Sequence, residues 1–260
     1  MSIVKRIVPI ALMIIPICAC SLVTTHTTAR AQDVATTISK AQTTLSEIDA
    51  LIAGIQARHG SPGGQVGDSG WKNLFDGQSL AGWVRADVGG SGDVTVDKAF
   101  RGGVPAIVVG MGDSLSGFKC TGGVPKTRYE ISLEAMKIEG NDFMCGLTFP
   151  VGDSHASLIL GGWGGSVVGI SSIDNLDASE NETTKFISFP KDRWYKVRVR
   201  VTPEKLQAWL DDKQIVDQVI TGRKVGLRPG SIINYIPLGI STYRTSAAFR
   251  EIKIRRLETQ

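Results

Sequence analysis

One histidine stands out among the residues that could carry proton-transfer chemistry. His155 is the only histidine after residue 59, and the unperturbed pKa of a histidine lies near neutrality. It lies in a glycine-rich part of the chain that also contains Asp142, Asp153 and Glu180. We predict His155 as a general base, or as a metal ligand beside Asp153, with Asp142 and Glu180 as further catalytic candidates. The alternative is a histidine on a surface loop.

A tryptophan between glycines is the main candidate for ligand binding. Trp163 lies at the centre of the run GGWGG, residues 161–165, and glycines on both sides let the backbone bend and expose the indole. An exposed indole stacks well on a ligand ring, whereas the alternative is a Trp163 buried at a corner of the fold. Tyr243 and Arg244, at the end of a predicted strand, and Asp153 are the other predicted substrate-binding residues.

Oxygen-bearing residues at short spacing indicate a cation site. Asp174, Asn175 and Asp177, with Glu180 three residues further on, offer the carboxylate and amide oxygens that calcium prefers. They predict a divalent cation, calcium, bound by Asp174, Asn175 and Asp177. The alternative is a solvated acidic turn, because the glycine placement of a known calcium loop is missing.

Glutamates and tryptophans on the predicted strands receive structural interpretations. Hydrolysis of a glycosidic bond ordinarily needs two carboxylates that face each other across a cleft. Glu130 and Glu134 share one strand face, but Glu139 does not, so we interpret these glutamates as a solvated outer face. Trp83, Trp194 and Trp209 lie in strand patterns and are predicted to belong to the core.

The N-terminus predicts export from the cytoplasm. Lys5 and Arg6 precede an apolar run over residues 7–17, which is too short to span a bilayer but fits the core of a signal peptide. Cleavage after Ala31 would remove residues 1–31 as the signal peptide and is the site we favour. The sequence around Cys20 resembles a bacterial lipobox, which would place a lipid on that cysteine. The expected location is therefore periplasmic, secreted or lipid-anchored at the cell envelope.

Residues 32–59 are predicted to form an amphipathic helix. Seven apolar residues recur at alternating intervals of four and three between residues 34 and 55, which is a heptad pattern. The pattern predicts a homo-oligomer through residues 34–55, or a stalk, and the alternative is a helix that packs on its own domain. Residues 60–70 are rich in glycine, serine and proline and are predicted to be a flexible linker.

From residue 71 onward the hydrophobic period changes to two. In residues 194–201 the apolar positions 195, 197, 199 and 201 alternate with tryptophan, lysine and arginine, and residues 128–136 and 249–257 alternate similarly. Shorter apolar runs lie between glycine-containing turns, and residues 211–214 suit a hairpin turn. This pattern predicts one all-β domain over residues 71–260, a sandwich or jelly roll.

Three stretches of this domain resemble a known family. Residues 71–83 read WKNLFDGQSLAGW and resemble the LFNGKDLxGW opening of the DUF1080 family, also called the 3-keto-disaccharide hydrolase domain. Residues 193–201, RWYKVRVRV, followed by residues 206–217, LQAWLDDKQIVD, are similar to the paired strands of that family. The closing FREIKIRRL, residues 249–257, resembles its last strand.

The resemblance implies a concanavalin A-like jelly-roll β-sandwich that is often exported and acts on carbohydrate, with hydrolysis of 3-keto-glycosides as the named activity. Many family members carry NSGVxxR in mid-domain. Residues 141–149 here read NDFMCGLTF, so the asparagine and the glycine match, the serine and the arginine do not, and no catalytic set carries over. The alternatives are a non-catalytic, lectin-like carbohydrate-binding sandwich and an oligomeric surface scaffold.

Net charge and cysteine content bear on the expected binding partners and on whether the domain contains a disulfide. Lys5, Arg6 and Arg30 precede Ala31 and no acidic residue does, so removal of residues 1–31 lowers the net charge from +4 to +1. A nearly neutral chain does not favour a nucleic-acid partner or a charged membrane surface. An oxidising compartment would permit a disulfide between Cys120 and Cys145, and buried free thiols are the alternative.

Overall fold

The computed structural model describes residues 36–44, 46–47 and 70–258. Residues 36–44 and 46–47 are helical and exposed, as expected for part of the predicted helix, and their pairing with another helix stays a prediction. The signal peptide with Cys20 and Ala31, and the linker up to residue 69, lie outside the described residues. None of the helices described has the length and apolar character needed to cross a membrane.

Residues 70–258 form fifteen strands in two antiparallel sheets. The strands are β1 (Lys72–Asn73), β2 (Trp83–Arg85), β3 (Val94–Asp97), β4 (Ala106–Val109), β5 (Leu115–Cys120), β6 (Tyr129–Gly140), β7 (Cys145–Val151), β8 (Ser154–Gly161), β9 (Val167–Ser171), β10 (Lys185–Phe186), β11 (Trp194–Val201), β12 (Lys205–Leu210), β13 (Lys213–Val219), β14 (Gly239–Tyr243) and β15 (Thr245–Arg256). Short helical turns occupy Phe100–Gly102, Gly162–Gly165 and Ser231–Tyr235.

The fifteen strands are divided between two sheets, sheet A and sheet B. Sheet A has eight strands in the order β13-β12-β11-β6-β15-β4-β3, with β1 also paired to β15. Sheet B has seven strands in the order β10-β9-β8-β7-β14-β5-β2. Strands that are consecutive in the chain often pair, but β6 pairs with β15 and β14 lies between β5 and β7, as in a jelly-roll sandwich.

The core lies between the two sheets, and alternation along the strands decides which residues enter it. In β11, Tyr195, Val197, Val199 and Val201 are buried while the residues between them face outward, as predicted from the period of two. The largest fully buried aromatic side chains include Phe118, which packs edge-on against Phe249 with the ring centroids 5.9 Å apart. The predicted all-β sandwich is confirmed.

Local chemistry accounts for two irregularities. Asp211 and Asp212 both have positive φ, 48° and 64°, and they form the two-residue turn between β12 and β13 that the sequence predicted. The pairing of β15 with β6 shifts register between Arg250 and Lys253, and Glu251 has a φ of 53°. This bulge keeps the apolar side chains on both halves of β15 directed into the core.

Cys120 and Cys145 are buried free thiols, so no disulfide links them. Burial raises the pKa of Cys145 to about 12, because the charged thiolate is poorly solvated between the sheets. Both cysteines belong to the core cluster and act there as small apolar residues.

The outer face of sheet A carries a buried carboxylate, so the expectation of a solvated glutamate was wrong for Glu130. Its side chain is 0% exposed and contacts three arginines on neighbouring strands, Arg198 at 2.9 Å, Arg200 at 2.7 Å and Arg255 at 2.7 Å. The register places Arg200 and Arg255 directly opposite Glu130. Burial acts to raise the pKa of Glu130, but the hydrogen bonds and charges of Arg200 and Arg255 outweigh it and lower that pKa below its ordinary value.

Tryptophans flank these arginines on the outer face. The Arg198 guanidinium lies 3.8 Å from the ring centroid of Trp209, and the Arg250 guanidinium lies 4.1 Å from that of Trp194. Trp209 and Trp194 are half-buried, so their predicted place in the core was wrong, whereas Trp83 lies in the core as predicted. Alternation from the buried Tyr195 places Trp194 on the outer face, where it stacks on an arginine.

Replacing Glu130 with glutamine, Glu130→Gln, is expected to lower the free energy of unfolding at neutral pH by about 3 kcal/mol, because three arginines lose their shared anion. The folded-state pKa lies below the unfolded-state value, so this contribution is present above the ordinary glutamate pKa and is lost as the pH falls. Urea unfolding of wild type and variant should therefore converge on acidification.

The matched control is Glu139→Gln, which neutralises an exposed glutamate on the same strand. It should leave stability within about 0.5 kcal/mol of wild type. Equal stability of the two variants at neutral pH would contradict a structural role for the Glu130 cluster.

Candidate functional site

A cavity of about 390 Å³ lies on the outer face of sheet B, the face that points away from the core. In β8 the side chains of Leu158 and Leu160 belong to the core, so Ser157 and Ile159 face the opposite way and line the cavity. Its functional side chains come from two strands, three loops and the short helical turn Gly162–Gly165. They are Asp142, Ser157, Trp163, Asp177, Arg228 and Tyr243.

A glycine on β7 lets an aromatic wall lie close to the sheet. A Cβ on Gly146 would lie 2.7 Å from the Ser241 hydroxyl oxygen and 3.1 Å from the ring of Phe143, so a larger residue would displace them. Phe143 lines the cavity and stacks on Tyr243, with ring centroids 5.9 Å apart and planes 23° apart. The predicted binding residue Tyr243 therefore lies at the cavity, and Phe143 is an aromatic wall residue that the sequence did not indicate.

Trp163 and Asp142 form the next part of the wall. Trp163 has a φ of 49° between glycines and is 42% exposed, so the exposed interpretation of the GGWGG run is confirmed over the buried one. The Asp142 carboxylate accepts hydrogen bonds from the backbone N–H of Phe143 at 2.8 Å and of Gly164 at 3.3 Å. These contacts tie the loop after β6 to the tryptophan turn and hold the carboxylate beside the indole.

A buried asparagine organises the loop on the opposite side. The Asn181 amide donates hydrogen bonds to the carbonyl oxygens of Ile170 at 2.7 Å, Leu176 at 3.1 Å and Asp177 at 2.8 Å. Its own oxygen accepts the Thr183 hydroxyl at 2.6 Å. Because each end of the side chain is used, Asn181 fixes the loop that carries Asp177 into the cavity.

An ion pair closes this side of the cavity. The Arg228 guanidinium contacts the Asp177 carboxylate at 2.8 Å and lies 5.7 Å from the ring centroid of Trp163. The Asp177 side chain is 12% exposed and that of Arg228 is 61% exposed, so the arginine faces the open side. A single guanidinium nitrogen contacts Asp177, which leaves other N–H donors of Arg228 for a ligand. Sequence reasoning missed Arg228, which belongs to no motif.

The three predicted catalytic residues are not brought together at the cavity. Asp142 lines it, but His155 does not, although His155 shares a face of β8 with Ser157 and is one strand repeat, about 7 Å, away. Burial, and then the charge of Lys126, lower the pKa of His155. Glu180 is exposed and accepts a hydrogen bond from the Asp177 backbone N–H at 3.3 Å. The catalytic roles of all three stay predictions.

Two predicted binding residues lie away from the cavity lining. Asp153 is exposed and pairs with Lys126 at 2.7 Å in the turn between β7 and β8. Arg244 is exposed, and its guanidinium lies 5.4 Å from the ring centroid of Tyr243. Arg244 therefore supports the outward side of the aromatic wall.

The acidic loop forms ion pairs with arginine. Asp174 and Asn175 both have positive φ and form a two-residue turn between Ile173 and Leu176. The Asp174 carboxylate contacts Arg223 at 2.5 Å and accepts the backbone N–H of Lys224 at 2.8 Å. Within the described residues no group of three or more histidine, cysteine, aspartate or glutamate side chains is arranged to hold a metal ion. The carboxylates of Asp174 and Asp177 each pair with an arginine guanidinium, with which a calcium ion would have to compete, and the predicted calcium site stays a prediction.

Comparison with known proteins places this domain among carbohydrate-related sandwiches. The family model described as the 3-keto-alpha-glucoside-1,2-lyase-like domain matches residues 70–255. No curated protein matches the chain. Among solved structures, the chain is similar to the Crh5 transglycosylase in complex with NAG, with 9% identity and a TM-score of 0.50 over 74% of this chain and 85% of that chain. At this identity the likeness shows the fold alone.

Two further solved structures are similar at lower scores. The carbohydrate binding module CBM66 from Bacillus subtilis has 13% identity and a TM-score of 0.45, over 67% of this chain and 95% of that chain. Domain 4 of AbnA, a GH43 extracellular arabinanase from Geobacillus stearothermophilus, in complex with arabinotriose, has 12% identity and a TM-score of 0.43, over 68% and 81% of the two chains.

Calcium is expected to leave the thermal unfolding midpoint unchanged, because binding at Asp174 would have to displace Arg223 from the carboxylate. Differential scanning calorimetry with calcium or with a chelator measures this directly. A rise in the midpoint with calcium, abolished by Asp174→Asn, would show that the predicted cation site exists. Asp87→Asn, which changes an exposed aspartate outside the acidic loop, is the control.

Proposed function

Because this chain belongs to the 3-keto-alpha-glucoside-1,2-lyase-like domain family, we propose that it cleaves 3-keto-glycosides in the cavity on the outer face of sheet B. One observation carries the proposal: the Asp142 carboxylate, the exposed Trp163 indole and the Arg228 guanidinium line the same cavity. Together they offer a base, a stacking surface and a cation. The volume of about 390 Å³ lies within the range, roughly 300–1,000 Å³, of small-molecule sites.

Substrate binding uses the aromatic wall and the polar side chains beside it. Trp163 stacks on the apolar face of the sugar ring, and the neighbouring ring of Tyr243 limits where that sugar can lie. The Ser157 hydroxyl, already hydrogen-bonded to that of Thr148 at 2.8 Å, faces the cavity and can bond a sugar hydroxyl. Binding at a largely preformed wall orients the sugar for proton removal.

The keto group determines the chemistry. A carbonyl at C3 acidifies the proton on C2, and Asp142 takes that proton as general base. The electron pair of the C2–H bond forms a C1–C2 double bond while the C1–O bond breaks, and the leaving oxygen takes a proton from water. Negative charge that develops on the C3 oxygen is stabilised by the Arg228 guanidinium. Addition of water across the double bond then completes a net hydrolysis, and one carboxylate base suffices.

A second candidate function is carbohydrate binding without turnover. His155 and Glu180 do not line the cavity, and Asp177 is paired with Arg228, so Asp142 alone is left as a carboxylate base. The aromatic wall would serve binding equally well. In either case the expected ligand is a carbohydrate, and the expected site of action, from the N-terminal sequence, is outside the cytoplasm.

Asp142→Asn is expected to lower kcat on a 3-keto-glucoside at least about 100-fold, because the base is removed from the cavity. Chromatographic measurement of the leaving group released from the 3-keto-glucoside, recorded with and without a divalent-metal chelator, measures turnover. His155→Ala is the matched comparison and should keep full turnover, since His155 does not line the cavity. Loss of turnover in His155→Ala, with activity retained in Asp142→Asn, would return the catalytic role to the histidine.

Trp163→Ala is expected to weaken binding of the 3-keto-glucoside about tenfold, which corresponds to about 1.4 kcal/mol of lost stacking. Calorimetric titration in the Asp142→Asn background separates binding from turnover. Val104→Ala, which trims a side chain that is 46% exposed and lies outside the cavity, is the control. Tight binding by wild type with no turnover under any condition would favour the binding function.

A further inference from the structure

A second groove lies between the edges of the two sheets. β13 forms one edge of sheet A and β10 forms one edge of sheet B, and each of them pairs with a single neighbour. The groove has a volume of about 720 Å³ and is lined by β10 and the residues after it, by the start of β11 and by the β12–β13 hairpin. It shares no lining residue with the cavity of the proposed active site.

The groove combines an apolar floor with an exposed aromatic side chain. Tyr195, Leu210 and Ile215 line it and are almost completely buried. Phe186 stands on its wall with 76% of the residue exposed, the highest value among the large hydrophobic residues described. An exposed aromatic side chain in a groove with an apolar floor and a polar rim offers a surface on which a ligand can pack.

The rim of the groove is positively charged. Lys185 and Lys213 are exposed and line it, and neither has an ion-pair partner among the described residues. The third cation, Arg193, is neutralised by Asp211 at 2.7 Å and lies over the ring of Tyr195.

We propose that this groove is a second binding site, which takes a segment of an anionic, carboxylated polysaccharide. Phe186 stacks on one sugar ring, and Lys185 and Lys213 contact carboxylate groups along the chain. A peptide of acidic residues alone, such as polyglutamate, would satisfy the lysines but has no flat apolar face to stack on Phe186, whereas a sugar ring has one. The site goes beyond the proposed function and does not depend on turnover in the cavity.

Affinity electrophoresis of the whole chain through gels that contain polygalacturonate, neutral dextran or polyglutamate tests this proposal. The variants are Phe186→Ala and the double change Lys185→Gln with Lys213→Gln. The matched control combines Val84→Ala, on the opposite edge strand of sheet B, with Lys98→Gln, beyond the opposite edge strand of sheet A. All the changed side chains are exposed, so a thermal melt should show every variant folded.

Wild type should bind polygalacturonate, and each groove variant should weaken that affinity about tenfold, with further weakening as salt concentration rises. The control should bind as wild type does, and Phe186→Ala should keep full turnover of the 3-keto-glucoside. Absence of polygalacturonate binding would overturn the proposal. The proposal would also be overturned if dextran bound as tightly as polygalacturonate and the lysine variant did not change that binding. Polyglutamate binding that Phe186→Ala leaves unchanged would overturn it as well and would indicate an acidic peptide as the ligand.

Discussion

The two-residue period of the strands is the constraint on which every other feature of this domain depends. Because one face of each sheet must be buried in the shared core, the alternate residues of each strand have to form an outer face. On sheet A that face concentrates arginines around the buried carboxylate of Glu130. On sheet B the same alternation brings glycine and serine outward, at Gly146 and Ser241 for example, and so leaves room for an aromatic wall and a cavity.

Sheet B provides the base of the cavity, and hydrogen-bonded loops carry its charged side chains. The Asp142 carboxylate accepts the backbone N–H of Phe143 and reaches the tryptophan turn through the N–H of Gly164, and Asn181 fixes the opposite loop through three carbonyl oxygens. Both arrangements satisfy backbone groups that would otherwise be costly to bury. The carboxylate of Asp177 and the guanidinium of Arg228 are positioned as a consequence, with the guanidinium directed toward Trp163.

The cavity and the groove occupy different parts of the sandwich and combine the same types of side chain. Each joins an exposed aromatic residue, Trp163 or Phe186, to cationic side chains. The cavity adds a carboxylate, which is what elimination at a 3-keto sugar requires, whereas the carboxylate of the groove, Asp211, is taken by Arg193. Among the described residues, the cavity thus has a carboxylate without an ion-pair partner and the groove has none, which is why we propose catalysis for the cavity and polysaccharide binding for the groove.

The sequence by itself determined the all-β class, the strand pattern and the hairpin turn within residues 211–214, because each depends on residues close together in the chain. It left Trp163 either exposed or buried, and the structure decided for exposure. Only the tertiary structure decided that Glu130 is buried among arginines and that Arg228 reaches Asp177. It also placed Asp142 at the cavity and left His155 outside the lining. These outcomes depend on which distant strands pair, in which register, and on where long loops return, and no local periodicity encodes such long-range contacts.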